Sequence, residues 1–156
     1  MIRVRGLVVS LFAMTACAPD EQASKAGAGD KPGELGMKVI TAQQAEKSEE
    51  AWGEFAQYFD GETAGVSDLL SGTATIKPGM EIHPPHRHAE EEFLMVIEGR
   101  GTWTVGDQSF EAGEGDMLYA AAWDLHGIKN TGETALTFVF WKWNSKGLPV
   151  PVDPEL

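Results

Sequence analysis

With 156 residues the chain has room for one domain, and with 12 basic against 24 acidic residues its formal net charge is -12. So acidic a surface repels phosphate backbones and anionic headgroups, which excludes nucleic acid and polybasic membrane binding as expected roles. A single cysteine, Cys17, excludes an intrachain disulfide, so the core has to hold by packing alone.

The N-terminus reads as a targeting segment. Arg3 and Arg5 precede an apolar run from Leu7 to Ala16 that is too short to span a bilayer and has the form of a secretory signal. Met14-Thr15-Ala16-Cys17 resembles a bacterial lipobox, in which the cysteine is diacylated and becomes the new N-terminus; Met14 departs from the leucine more usual there. A rival reading takes Ala16-Cys17-Ala18 as an ordinary A-x-A cleavage site, which leaves Pro19 first in the mature chain, a poor position for a signal peptidase. The lipobox resemblance implies a signal sequence over residues 1–17, lipidation at Cys17, and export to a bacterial membrane with the domain in the periplasm or outside the cell. Residues 18–36 carry almost no large apolar side chain and read as a flexible linker, so the folded domain is expected over 37–156.

Within that domain the pattern is mostly β. Met37 to Ile40 suits a short strand, and Thr41-Ala42-Gln43-Gln44 offers a capping box for a short helix running to about Glu50. Trp52 to Phe59 fits helix and strand alike, since Trp52, Phe55 and Phe59 also have helical spacing. After Gly65, short apolar segments alternate with Gly, Pro, Asn and Asp turns, the rhythm of a sandwich or barrel. The spacing predicts strands at Thr73 to Ile76, Phe93 to Glu98, Thr102 to Val105, Met117 to Ala120 and Ala135 to Trp143. The tail from Gly147, with Pro149, Pro151 and Pro154, is expected outside the sheet. No internal duplication is visible, so one barrel is expected.

Three of the four histidines fall within His83-Pro84-Pro85-His86-Arg87-His88, and Glu92 follows four residues after the last of them. On an extended strand His86 and His88 project from one face and Arg87 from the other. Two imidazoles side by side are a natural chelate for a borderline metal. A hairpin returning through Glu92 brings a carboxylate to the same pole, and barrel closure would set His126 opposite.

These residues carry a second resemblance. Gly79 to Gly99 resembles the first motif of the cupin family, through the spacing of His86, His88, Glu92 and Gly99, and Gly115 to Asn130 resembles the second, through His126 and Asn130. Three departures stand out: six residues rather than five separate Gly79 from His86, Ala121 stands where proline is usual, and Trp123 where glycine is usual. The resemblance implies an all-β, antiparallel jelly-roll barrel with its motif core over 65–143 and a metal at one mouth. It implies His86, His88, Glu92 and His126 as ligands of one divalent ion, with iron, manganese, nickel, copper and zinc all allowed by this donor set. It also leaves open a homodimer, the common state of small single-barrel members.

His83 is stiffened by the two prolines and stands as an outer-shell donor or acid/base near the metal, or as a rim histidine in solvent. Glu90 and Glu91 read as exposed turn charges, and Asn130 as closing a turn through its side chain. Val139, Trp141 and Trp143 share one face of the last strand, Phe138 and Phe140 the other; one set could line the barrel, or both could pack in core. Arg100 and Lys129 could receive a substrate carboxylate, though nothing selects them over ordinary surface positions. Three functional readings remain: a metalloenzyme on a small molecule, with oxygenase chemistry preferred to isomerase or lyase; a non-catalytic metal or ligand binder; and a metal-free scaffold tethered to the membrane.

Overall fold

The computed structural model describes residues 35–36 and 38–155; Cys17 with the lipobox, most of the 18–36 linker and Met37 lie outside the described residues. Nine strands follow in chain order: β1 Glu46–Glu50, β2 Gly53–Gly61, β3 Val66–Ile76, β4 Glu91–Glu98, β5 Arg100–Val105, β6 Gln108–Gly113, β7 Met117–Ala120, β8 His126–Lys129 and β9 Leu136–Ser145. Every pairing among them is antiparallel. They form a six-stranded sheet in the order β1-β2-β3-β9-β4-β7 and a three-stranded sheet in the order β6-β5-β8, the all-β architecture expected.

Strict alternation places the core between the sheets. On β4, Glu92, Leu94 and Val96 are buried while Phe93 and Met95 point outward. On β9, Leu136, Phe138 and Phe140 turn inward to meet Ala74 and Ile76 of β3 and Trp103 of β5. A one-residue slip in either strand would carry this whole set to the solvent face, so burial itself fixes the register.

The short helix is not formed. Thr41 and Gln44 do make the capping turn, with the Thr41 backbone N–H donating to Gln44 Oε1 at 3.0 Å and the Gln44 N–H to Thr41 O at 2.9 Å. Propagation stops there, because Glu46–Glu50 instead pairs residue by residue with β2, Glu46 opposite Gln57 and Glu50 opposite Gly53. One nucleated turn with no apolar face behind it cannot compete with a sheet edge that takes the backbone groups at once. Lys38 to Ile40 likewise form no strand. Trp52 to Phe59 resolves as strand: Phe55 packs on Phe140 with ring centroids 5.6 Å apart, and a bulge between Gln57 and Phe59 absorbs the mismatch. The five strands read from the sequence all form, most of them longer than expected, and residues 147–155 stay out of the sheets.

Candidate metal centre

His86 sits ahead of β4 in an irregular segment but is locked to the start of β8 by a two-residue bridge. The His86 and His126 backbones exchange N–H···O bonds of 2.9 Å in both directions, which sets their rings 4.8 Å apart. The His88 ring lies 5.1 Å from His86 and 4.9 Å from His126, and the potential ligand atoms of the three histidines fall within 4.8 Å of one another. Glu92, on the inner face of β4, completes the cluster. Its Oε2 is 3.2 Å from His88 Nε2 and 3.0 Å from His126 Nε2.

Backbone carbonyls orient two of the rings. His88 Nδ1 lies 3.0 Å from Glu90 O and His126 Nδ1 lies 2.8 Å from Asp124 O. A carbonyl only accepts, so in both rings Nδ1 carries the proton and Nε2 is left with its lone pair in the neutral ring. Each lone pair then faces the Glu92 carboxylate, an arrangement made favourable by a cation between them, whether a proton or a metal. Carbonyl bonds to the far nitrogen are also what aims ligating histidines in metal sites. The donor set therefore fits a divalent ion. His86 adds an orphan: its Nδ1 is buried and has no hydrogen-bond partner among the described residues.

The electrostatics follow from this packing. Burial alone would raise the Glu92 pKa, but hydrogen bonds from His126 and His88 outweigh it and hold the carboxyl at about 2. His86 moves down to about 4, first through burial and then through the neighbouring His83, His126 and His88 rings, so it stays neutral at neutral pH. Burial also acts to lower the His126 pKa, yet the Glu92 carboxylate and the Asp124 carbonyl turn the balance and raise it.

A cavity of about 170 Å³ opens in front of the cluster, walled by Phe55, Leu70, Ile82, Leu94, Ile128, Phe138 and Phe140 on its apolar side. His83, exposed at its mouth, sets its ring against that of His86 with centroids 4.0 Å apart, and its Nδ1 is 3.1 Å from Pro84 O. The Phe138 and Phe140 face of β9 thus lines the barrel. Trp141 and Trp143 lie on the outside of the larger sheet, against Phe93 at 5.6 and 5.8 Å.

Two sequence readings are corrected. Glu90 is not an exposed turn charge: it is half-buried, and its Oε1 lies 3.3 Å from Lys142 Nζ. Glu91 is also half-buried and accepts the Tyr119 hydroxyl at 3.1 Å. Neither Arg100 nor Lys129 reaches the cavity; the cation in its wall is Lys142, which sequence reasoning missed. Lys142 continues the Phe138–Phe140 alternation, but with Trp141 and Trp143 on the other face the sequence did not say which face is inside. Asn130 does close its turn. Fully buried, it donates through Nδ2 to Ile76 O and Thr134 O at 2.8 Å each and accepts the Gly132 N–H at 2.9 Å.

Trp123, at a position where glycine is usual, has φ of 68°, the left-handed conformation that explains the glycine. Its backbone N–H donates to His88 O at 2.7 Å and its indole N–H to Pro151 O at 2.8 Å, so the bulky side chain ties down the strained turn.

Residues 72–142 match the family model described as Cupin domain. The chain is 30% identical over 77 residues to a gentisate 1,2-dioxygenase from Streptomyces sp, covering 49% of this chain and 20% of that protein. It is 32% identical over 81 residues to a dimethylsulfoniopropionate lyase from Ruegeria pomeroyi, covering 52% of each. A third relative, the 5-nitrosalicylic acid 1,2-dioxygenase of a Bradyrhizobium sp, is 30% identical over 76 residues, covering 47% of this chain and 36% of that one. The chain thus spans between 20% and 52% of the length of these curated relatives. Among solved structures, an RmlC-like cupin from Shewanella frigidimarina superposes with a TM-score of 0.57 at 17% identity, covering 72% of this chain and 95% of that one. The matched segment contains His86, His88, Glu92 and His126, and the fold built around it is the antiparallel jelly roll of the cupins.

Proposed function

We propose that the chain is a metal-dependent cupin enzyme, an oxidoreductase acting on a small molecule, with His86, His88, Glu92 and His126 holding one divalent ion. The observation that carries this reading is the approach of His88 Nε2 and His126 Nε2 to Glu92 Oε2, at 3.2 and 3.0 Å, beside the unpartnered His86 Nδ1. A bound ion would supply Lewis-acid or oxygen-activating chemistry. The chain's own residues supply the rest. The phenylalanine-lined wall excludes water from the reacting face. His83, its Nδ1 turned to Pro84 O, keeps Nε2 as the ring's acceptor at the cavity mouth, where it can take a proton from an arriving substrate. Two of the relatives are named as dioxygenases, which favours oxygen chemistry over the lyase alternative. The lipobox at Cys17 supports a lipid-anchored protein exported to the membrane.

The test is metal loading without a polyhistidine tag. After reconstitution with iron, manganese, nickel, copper or zinc, elemental analysis should find about one ion per chain, falling sharply in His86→Ala and Glu92→Ala. Oxygen uptake with small organic substrates should then accompany the redox-active ions. Wild type that binds no metal after reconstitution contradicts the reading.

A further inference from the structure

We propose that the substrate is a small monocarboxylic acid whose carboxylate is received by Lys142, which makes Lys142 the residue that selects for anionic ligands. The proposal deepens the enzyme reading above and rests on it for the word substrate. Lys142 stands directly opposite Glu92 in the β4–β9 register and turns into the same cavity, after Phe138 and Phe140 on that face of β9. Among the described residues it is the only lysine or arginine in the cavity wall.

A lysine at an inward position of an otherwise apolar face calls for a reason beyond packing. Its Glu90 partner does not supply one. The pair is only partly withdrawn from water, its side chains 27% and 22% exposed, and it offsets the ammonium charge without filling the cavity that Lys142 faces. The ammonium has three N–H donors, one of them directed at Glu90 Oε1 at 3.3 Å. A ligand carboxylate can therefore join the ammonium without breaking that pair. Glu90 and Glu92 disfavour a second negative charge nearby, so the ligand carries one carboxylate. Phe55, Leu70 and Phe140 require the remainder to be apolar. Size sets the limit: a cavity of about 170 Å³ is comparable to the roughly 150 Å³ that receives benzene, so the body is about one ring.

Benzoate and its neutral isostere benzamide separate charge from shape. Calorimetric titration of both into the chelator-treated and the zinc-loaded chain should show benzoate binding about tenfold more tightly in each state. Lys142→Met should abolish the preference, Lys142→Arg should keep it, and the zinc content of both variants should match wild type. Equal binding of the two ligands by wild type, no binding of benzoate, or a preference that survives in Lys142→Met overturns the proposal. A preference present only with zinc and indifferent to Lys142→Met assigns the carboxylate to the metal, which leaves the metal reading standing and this one refuted. A preference lost in Lys142→Met in a chain that takes up no metal refutes the metal reading alone.

Discussion

Asn130 concentrates more of the barrel's polar bonding in one side chain than any of His86, His88, Glu92 and His126 does. It is sealed from solvent and serves two carbonyls and one N–H, from Ile76, Thr134 and Gly132. Asn130→Ala strands those groups where water cannot reach them, and an unmet buried polar group costs about 1–3 kcal/mol. Urea unfolding should therefore show a loss of about 3 kcal/mol, with metal stoichiometry unchanged because Asn130 does not line the cavity. A loss within experimental scatter would contradict this role. At this scale the sequence was most legible where spacing carried the chemistry. His86, His88, Glu92 and His126 could be picked out together because their spacing resembles the two motifs of the cupin family. Lys142 could not, because both faces of its strand are aromatic and only the closed barrel says which face is inside.

At the scale of elements, the C-terminal tail ties together the two loops that present the histidines. It leaves the sheet at Gly147, whose φ is 80°, and returns past Trp123, which bonds Pro151 O, to an ion pair between Arg87 and Glu155. Arg87 lies between His86 and His88, and Trp123 bonds the His88 carbonyl. Ending the chain after Lys146 should leave the β circular-dichroism spectrum intact, since the tail joins no sheet. Hydrogen exchange should rise at residues 84–90 and 121–125, and metal affinity should fall on the order of tenfold, as when groups that orient ligands are lost. Unchanged exchange in both loops would show that the tail is merely lodged there. Elements were legible where apolar alternation was strong, as in β4 and β9. β1 and β6 escaped notice because Glu46–Glu50 is exposed throughout and Gln108–Gly113 almost so, leaving little inward face to read. β8 escaped because its inward positions are His126 and Ile128 with Gly127 between them, so a single large apolar residue marks it.

For the whole molecule, charge and anchor belong together. An acidic domain does not adhere to anionic lipid by itself, so the membrane residence proposed above would depend on acylation at Cys17; among the described residues no helix is long and apolar enough to cross a bilayer. Radiolabelled palmitate fed to a bacterial host should be incorporated into the chain and lost in Cys17→Ser, with the protein moving from the membrane to the soluble fraction. Label that persists in the variant would refute the lipobox reading.

The most direct test of the metal centre is X-ray absorption at the metal edge of the zinc-loaded protein. The account predicts a shell of three imidazole nitrogens and a carboxylate oxygen at about 2.0–2.2 Å, with one imidazole lost in His86→Ala. A shell of oxygen alone, or one unaltered by that substitution, would place the ion elsewhere and contradict the account.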